Sequence, residues 1–225
     1  SGKRKRSWIV VSAIWSALSN VGLNYSYPPK SFEQTGQKIR TPSMILSGGL
    51  GTCIDTTMLF CSVIEQANLH PIVVLKDGHS FVGVWLQPES FRSVVMDDVT
   101  TLRKRISLDE LIVFETTLIT QRPKLTFSTA IENGKKQLAE EVEADFVCAI
   151  DIQRAREQRI KPLSFVERIE KDGDGVEEIK TTLSLTLDEA PPIEDFTKPE
   201  PPRNAKESPE TRLERWQRKL LDLSL

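Results

Sequence analysis

Two short stretches hold the residues best suited to chemistry: Gly48-Gly49-Leu50-Gly51-Thr52-Cys53-Ile54-Asp55 and Asp77-Gly78-His79. A cysteine works as a nucleophile when an imidazole takes its proton and a third group orients that imidazole. The first stretch sets Cys53 at the mouth of a helix. Its glycines permit a tight turn and a close approach to another surface. After them Ile54, Met58 and Cys61, with Phe60, Ile64 and Ala67, follow at helical spacing. The free N–H groups and positive dipole end of that helix favour thiolate over thiol at Cys53. Apolar residues on most sides predict a buried helix. Asn68 is its stop signal, and Pro71 forbids continuation.

The second stretch is positioned by a hairpin. Ile72 to Lys76 reads as a strand, Asp77-Gly78 as its tight turn and His79 to Leu86 as the return strand. His79, Phe81, Gly83 and Trp85 share one face; Ser80, Val82, Val84 and Leu86 share the other. His79 thus stands at the exposed start of a strand. A buried helix packed on this hairpin would hold Cys53 and His79 side by side. Trp85 reads as a core residue rather than the wall of a substrate groove.

A Gly-x-Cys-x-Asp helix start, a Gly-His strand and an acid followed by threonine on a third strand resemble the transglutaminase-like branch of the papain-like cysteine enzymes. The parts are Gly51 to Asp55, Gly78-His79 and Glu115-Thr116-Thr117. The resemblance covers about Ser7 to Thr120. It implies an α+β fold, with helices packed on a small antiparallel sheet as in a papain-like core. It also implies a catalytic set of Cys53, His79 and an acid. The family carries Asp-Pro-Thr at the third place; this chain has Glu-Thr-Thr after an apparent insertion from Gln87 to Asp109. Asp97 in that insertion is the alternative acid. Glu115 is preferred because Leu111 to Phe114 reads as the strand that neighbours the histidine strand. Acyl transfer also needs donors for the developing oxyanion. The Cys53 backbone N–H is the first candidate and Gln37 the second, with loop ordering as the plainer role for Gln37.

A narrower set comprises Tyr27-Pro28-Pro29, Gly36 to Pro42, the Cys53 stretch, Gly78 to Leu86 and Ile150 to Arg156. It is similar to a transglutaminase-like module inside very large bacterial helicase-type proteins. Leu213 to Leu225 resembles the opening of the next domain in those proteins. The resemblance implies helicase-type domains in the same natural chain, continuing beyond Leu225, although no Gly-Lys-Ser/Thr phosphate loop is present. Its implied function is cysteine-dependent acyl transfer or amide hydrolysis on a protein or peptide. Hydrolysis is favoured over transfer to an amine, because transfer needs a site that excludes water. The alternative is a catalytically inactive protein-interaction module of the same helicase-type protein.

Composition bounds the rest. Three cysteines without a Cys-x-x-Cys pair fit free thiols in a reducing, cytoplasmic setting. Cys61 and Cys148 read as core residues, and His70 as a surface loop residue. Two histidines and no paired cysteines argue against a metal site, and no cofactor motif is evident. A net charge of −2 gives no general pull toward nucleic acid or membrane, and the Lys3 to Arg6 cluster reads as a solvated terminus. No apolar run has the length of a membrane span and no signal peptide is visible.

The predicted order begins with a helix from Ser7 to Gly22 and a loop from Leu23 to Lys38. A short helix follows Thr41-Pro42, then come the Cys53 helix and the His79 hairpin. A short helix starting at Asp98 or Thr100, a strand from Leu111 to Thr120, a helix from Ser128 to Glu141 and an apolar return from Phe146 to Ile152 complete a domain over 1–162. Beyond it, 163–189 reads as a β-hairpin appendage and 190–208 as a proline-rich acidic linker. Residues 209–225 read as the first helix of a following domain, with one unmatched apolar face.

Overall fold

A computed structural model describes residues 2–27 and 38–162. Gln37, the 163–189 hairpin, the 190–208 linker and the 209–225 helix lie outside them. The described residues form a mixed helical and sheet fold built on a small antiparallel sheet.

Helix α1 runs from Gly2 to Val21 and buries Trp8, Val11, Trp15 and Leu18. It starts five residues before the expected cap at Ser7. Lysine and arginine are good helix formers, and Arg4 donates across the fold to Gln87 and to the Leu108 carbonyl. Ser7 therefore lies inside the helix, donating to the Lys3 carbonyl. Gly22, at φ +82°, ends it. The following segment is not all loop: β1 (Asn24–Tyr25) pairs in parallel with β2 (Leu50–Gly51). Between them α2 (Pro42–Gly48) starts on Thr41 with proline in its first turn, as expected. Helix α3 (Cys53–Gln66) follows and stops before Asn68, which takes φ +57°.

Strands β3 (His70–Lys76) and β4 (His79–Trp85) form the hairpin, with Lys76 opposite His79. β3 begins two residues earlier than expected and includes Pro71. β5 (Val95–Met96) and α4 (Val99–Ser107, capped by Asp98) come from the insertion. Then follow β6 (Leu111–Phe114), a 3-10 turn (Thr116–Thr120), α5 (Phe127–Lys136), a second 3-10 turn (Glu140–Asp145), β7 (Phe146–Asp151) and α6 (Ile152–Glu157). The sheet order is β5-β7-β3-β4-β6, antiparallel throughout.

The sheet is covered on both faces. Val73, Val82, Val84 and Phe114 point to α1, α3 and α5, where Trp15, Phe60 and Phe127 interlock. Ile72, Val74, Phe81, Trp85 and Val113 point to α4, through Val99, Leu102 and Ile106. The insertion is thus the layer that keeps the second face dry. Trp85 is core, as expected: its indole N–H donates to the buried Asp151 carboxylate at 3.1 Å.

The edge strand β6 is covered by α5, which answers the hazard of an unpaired edge. The approach is close because Gly134 faces the strand. A Cβ there would lie 2.7 Å from the Phe114 backbone.

Candidate active site

The start of α3 is built by local bonds. The Thr52 hydroxyl accepts the Asp55 N–H at 3.3 Å, and the Asp55 carboxylate accepts the Thr52 N–H at 3.0 Å, a reciprocal cap. Asp55 is fully buried and also accepts from the Arg40 N–H at 2.8 Å and its guanidinium at 2.6 Å. Burial pushes the Asp55 carboxyl up, but these bonds outweigh it and hold it below the ordinary range. Gly49, at φ +62°, closes α2 by an N–H bond to the Ile45 carbonyl. The turn thereby places Cys53 as the first helical residue.

His79 opens β4, and its Nε2 lies 2.7 Å from Glu115 Oε2. Register explains the meeting. Phe114 pairs with Val82, so Glu115 falls beside Phe81 and on the face that His79 shares. The other Glu115 oxygen accepts the Thr117 N–H at 3.0 Å and its hydroxyl at 2.7 Å. Those bonds cap the 3-10 turn and end β6 at Phe114, whereas the sequence reading extends that strand to Thr120. The Glu115 N–H leaves the sheet for the Ala130 carbonyl of α5.

The Cys53 sulfur lies against the His79 side chain, and each shifts the titration of the other. With Nε2 taken by Glu115, Nδ1 is the nitrogen left for the sulfur. The N–H and hydroxyl of Ser80 face the sulfur as well and favour its ionised form. Burial, the largest single influence, pushes the thiol up; His79 and Ser80 together overcome it and hold Cys53 below its ordinary value of 9.0. The bond to Cys53, then that to Glu115, lifts His79 to about 9 against the effect of its burial. Glu115 is raised by burial but held low overall by His79 and Thr117. These directions favour the ionised forms of all three groups: thiolate, imidazolium and carboxylate. Cys53 is 7% exposed and the His79 side chain 25%, so the site opens on the imidazole side.

Two features have no counterpart in the sequence reading. Tyr25, at the end of β1, brings its phenol to Cys53. The phenol lies beside both the Cys53 side chain and its backbone N–H. Burial and the neighbouring Cys53 push this phenol up to about 12. Beneath the site lies a layer of buried hydroxyls. Thr56 donates to the Cys53 carbonyl at 2.9 Å and sits 3.0 Å from the Thr116 hydroxyl. Thr57 lies 3.2 Å from the Ser80 hydroxyl and 3.3 Å from that of Thr116. The layer ties α3 to the two segments that carry His79 and Glu115. Its only sequence signal is the polar pair Thr56-Thr57 inside an apolar helix.

The alternative acid is not brought in. Asp97 is exposed on the loop after β5, at the far edge of the sheet and three strands from β4, where its charge acts on Cys148. The reason is topological: the insertion pairs with β7 instead of returning beside the histidine strand. Gln37 lies outside the described residues. Cys61 is core, and burial raises its thiol. Cys148, expected in the core, is half-buried on β7. His70 starts β3 and donates from Nδ1 to the Glu89 carbonyl at 2.7 Å. Among the described residues, no group of three or more metal-ligating side chains converges, and no helix is long and apolar enough to cross a membrane. Compared with protein-family models, curated proteins and solved structures, the chain finds no match.

Proposed function

We propose that this chain is a cysteine-dependent acyl-transfer module of the transglutaminase-like, papain-like kind, acting on amide bonds of a protein or peptide. The observation that carries the reading is the 2.7 Å bond from His79 to Glu115 with the Cys53 sulfur lying against the same imidazole. It rests on three elements that the fold brings to one end of the sheet.

The Cys53 thiolate attacks the carbonyl carbon; an S–C bond forms and the C=O π electrons move to oxygen. Collapse breaks the C–N bond, and His79 gives its proton to the leaving amine. A thioester remains on Cys53. Water, deprotonated by His79, attacks it, releases the carboxylic acid and returns the thiolate and imidazolium. Glu115 holds the imidazole with Nδ1 toward sulfur and stabilises its charge. An amine in place of water gives acyl transfer to that amine. Hydrolysis is the favoured outcome, because the His79 side of the site is open to solvent. In the wider reading, the module is the accessory part of a bacterial, cytoplasmic helicase-type protein whose further domains share its natural chain.

The test is the alkylation rate of Cys53 by iodoacetamide against pH, in the wild type and in His79→Ala. The expected rate stays high well below the ordinary thiol range and loses that acid-side reactivity without His79. A rate that follows an ordinary thiol in both proteins would overturn the enzyme reading in favour of a non-catalytic interaction module.

A further inference from the structure

Attack on a carbonyl by Cys53 puts negative charge on the former carbonyl oxygen. A site that accelerates this step holds donors where that charge appears. The surroundings of the sulfur divide clearly. The His79 ring lies on one side, and the Ser80 N–H and hydroxyl are bonded to it as well. Among the described residues, the phenol of Tyr25 also lies at the sulfur and beside the Cys53 N–H. That N–H is one of those an α-helix leaves without an intrahelical partner. The phenol oxygen therefore marks a point within hydrogen-bond reach of both the nucleophile and the first backbone donor of α3. A carbonyl oxygen that takes the Cys53 N–H while this sulfur attacks its carbon occupies the same point.

Tyr25 is also held in one frame with Cys53. Its strand partner is Gly51, two positions before the nucleophile. On one side of it the Asn24 N–H donates to the Gly49 carbonyl at 2.9 Å, and on the other the Ser26 N–H donates to the Gly51 carbonyl at 2.9 Å. The glycine turn that places the sulfur thus also places the phenol. The ring of Tyr27 packs edge-on against it, 5.0 Å between centroids.

We propose that the Tyr25 hydroxyl is the side-chain oxyanion donor of this site. In the resting enzyme it bonds to the Cys53 sulfur. As the carbonyl oxygen enters, the phenol swings from the sulfur and the Cys53 N–H and donates to that oxygen, which accepts the Cys53 N–H in its place. The phenol remains protonated throughout and forms no covalent bond. This role rests on the acyl-transfer reading above, and it gives Tyr25 the place that the sequence suggests for Gln37. A donor has to keep its proton beside a thiolate, and a phenol held near 12 does so at neutral pH.

Two reactions of the same sulfur separate this role from a structural one. Alkylation by iodoacetamide displaces iodide from a saturated carbon and makes no oxyanion. Acylation by p-nitrophenyl acetate passes through a tetrahedral oxyanion and releases nitrophenolate. Both are measured on the full chain, each at its pH plateau, with Cys53→Ala as the blank. Tyr25→Phe keeps the ring and its packing on Tyr27. The expected result is acylation slower by roughly 10²-fold, with alkylation, freed of the phenol, as fast as in the wild type or faster. Equal slowing of both reactions would make Tyr25 a structural residue and overturn the proposal. Faster acylation would make the phenol a plug over Cys53, and unchanged acylation would leave it no role; either overturns the proposal while the thiolate–imidazole pair stands. Failure of that pair shows separately, as an alkylation profile indifferent to His79 in a chain that retains Tyr25.

Discussion

His79 stands between the Cys53 sulfur and the Glu115 carboxylate, and both partners favour its protonated form. Attack needs Cys53 ionised, and expulsion of an amine needs His79 protonated. Amide turnover should therefore rise with the ionisation of Cys53, below the ordinary thiol value of 9.0, and fall as pH passes about 9 and His79 loses its proton. Glu115→Gln keeps the shape of the acid and removes its charge. The alkaline limb should then move toward neutrality, and turnover at neutral pH should drop on the order of 10²-fold. The pH profile of kcat/KM decides this: an alkaline limb left at about 9 in the variant would show that Glu115 does not hold the imidazolium. Asp97 provides the contrast, since Asp97→Asn should leave the same profile unmoved.

At the scale of elements, the site depends on how closely α5 lies on β6. Glycine inside a helix is unfavourable relative to alanine by about 1 kcal/mol, so propensity alone predicts that Gly134→Ala stabilises the protein. Contact predicts the opposite sign. The new Cβ would meet Phe114 backbone atoms at 2.7 Å, and a backbone cannot swing aside as a side chain can. The expected outcome is a loss of about 1–3 kcal/mol, read from the urea midpoint. Acylation of Cys53 should slow as well, because Ala130 on the same helix holds the Glu115 N–H. Elements whose causes are local were legible in the sequence: the Thr41-Pro42 helix start, the Asp77-Gly78 turn and the face alternation of β4. The ends of elements were less so. β6 stops at Phe114 because a Glu115 oxygen caps the next turn, and α1 begins at Gly2 because Arg4 finds partners about a hundred residues away.

Across the whole molecule, buried carboxylates link the site to stability. Asp55 and Glu115 both sit below their ordinary values of 3.8 and 4.5. The sign follows directly. A carboxylate whose folded pKa is depressed contributes stability that is fully present above its unfolded pKa, and this is lost as pH falls through the folded one. On the acid side, unfolding midpoints should thus drop steadily below about pH 5; on the alkaline side His79, lifted from 6.5 to about 9, contributes stability that is lost as pH rises through about 9. Asp55→Asn should give a lower plateau and a shallower acid-side drop. A midpoint that stays flat down to pH 3 in the wild type would contradict the burial and bonding of these two groups.

Only the features that a few neighbouring residues dictate can be read without the fold. A glycine turn must lead into the Cys53 helix, a two-residue turn must precede His79, and an apolar strand must come before Glu115. Three-dimensional packing decided everything that joins distant residues. Thr56 and Thr116 are sixty positions apart, and their shared hydrogen bond depends on α3 lying against the turn after β6. The preference for Glu115 over Asp97 came from the apolar run Leu111 to Phe114, and strand order then set Asp97 at the far edge of the sheet. Tyr25 reached Cys53 because two short strands pair in parallel across an intervening helix. Periodicity and turn chemistry act over a few residues, whereas hydrogen-bond partners for buried groups are chosen only when the chain closes around them.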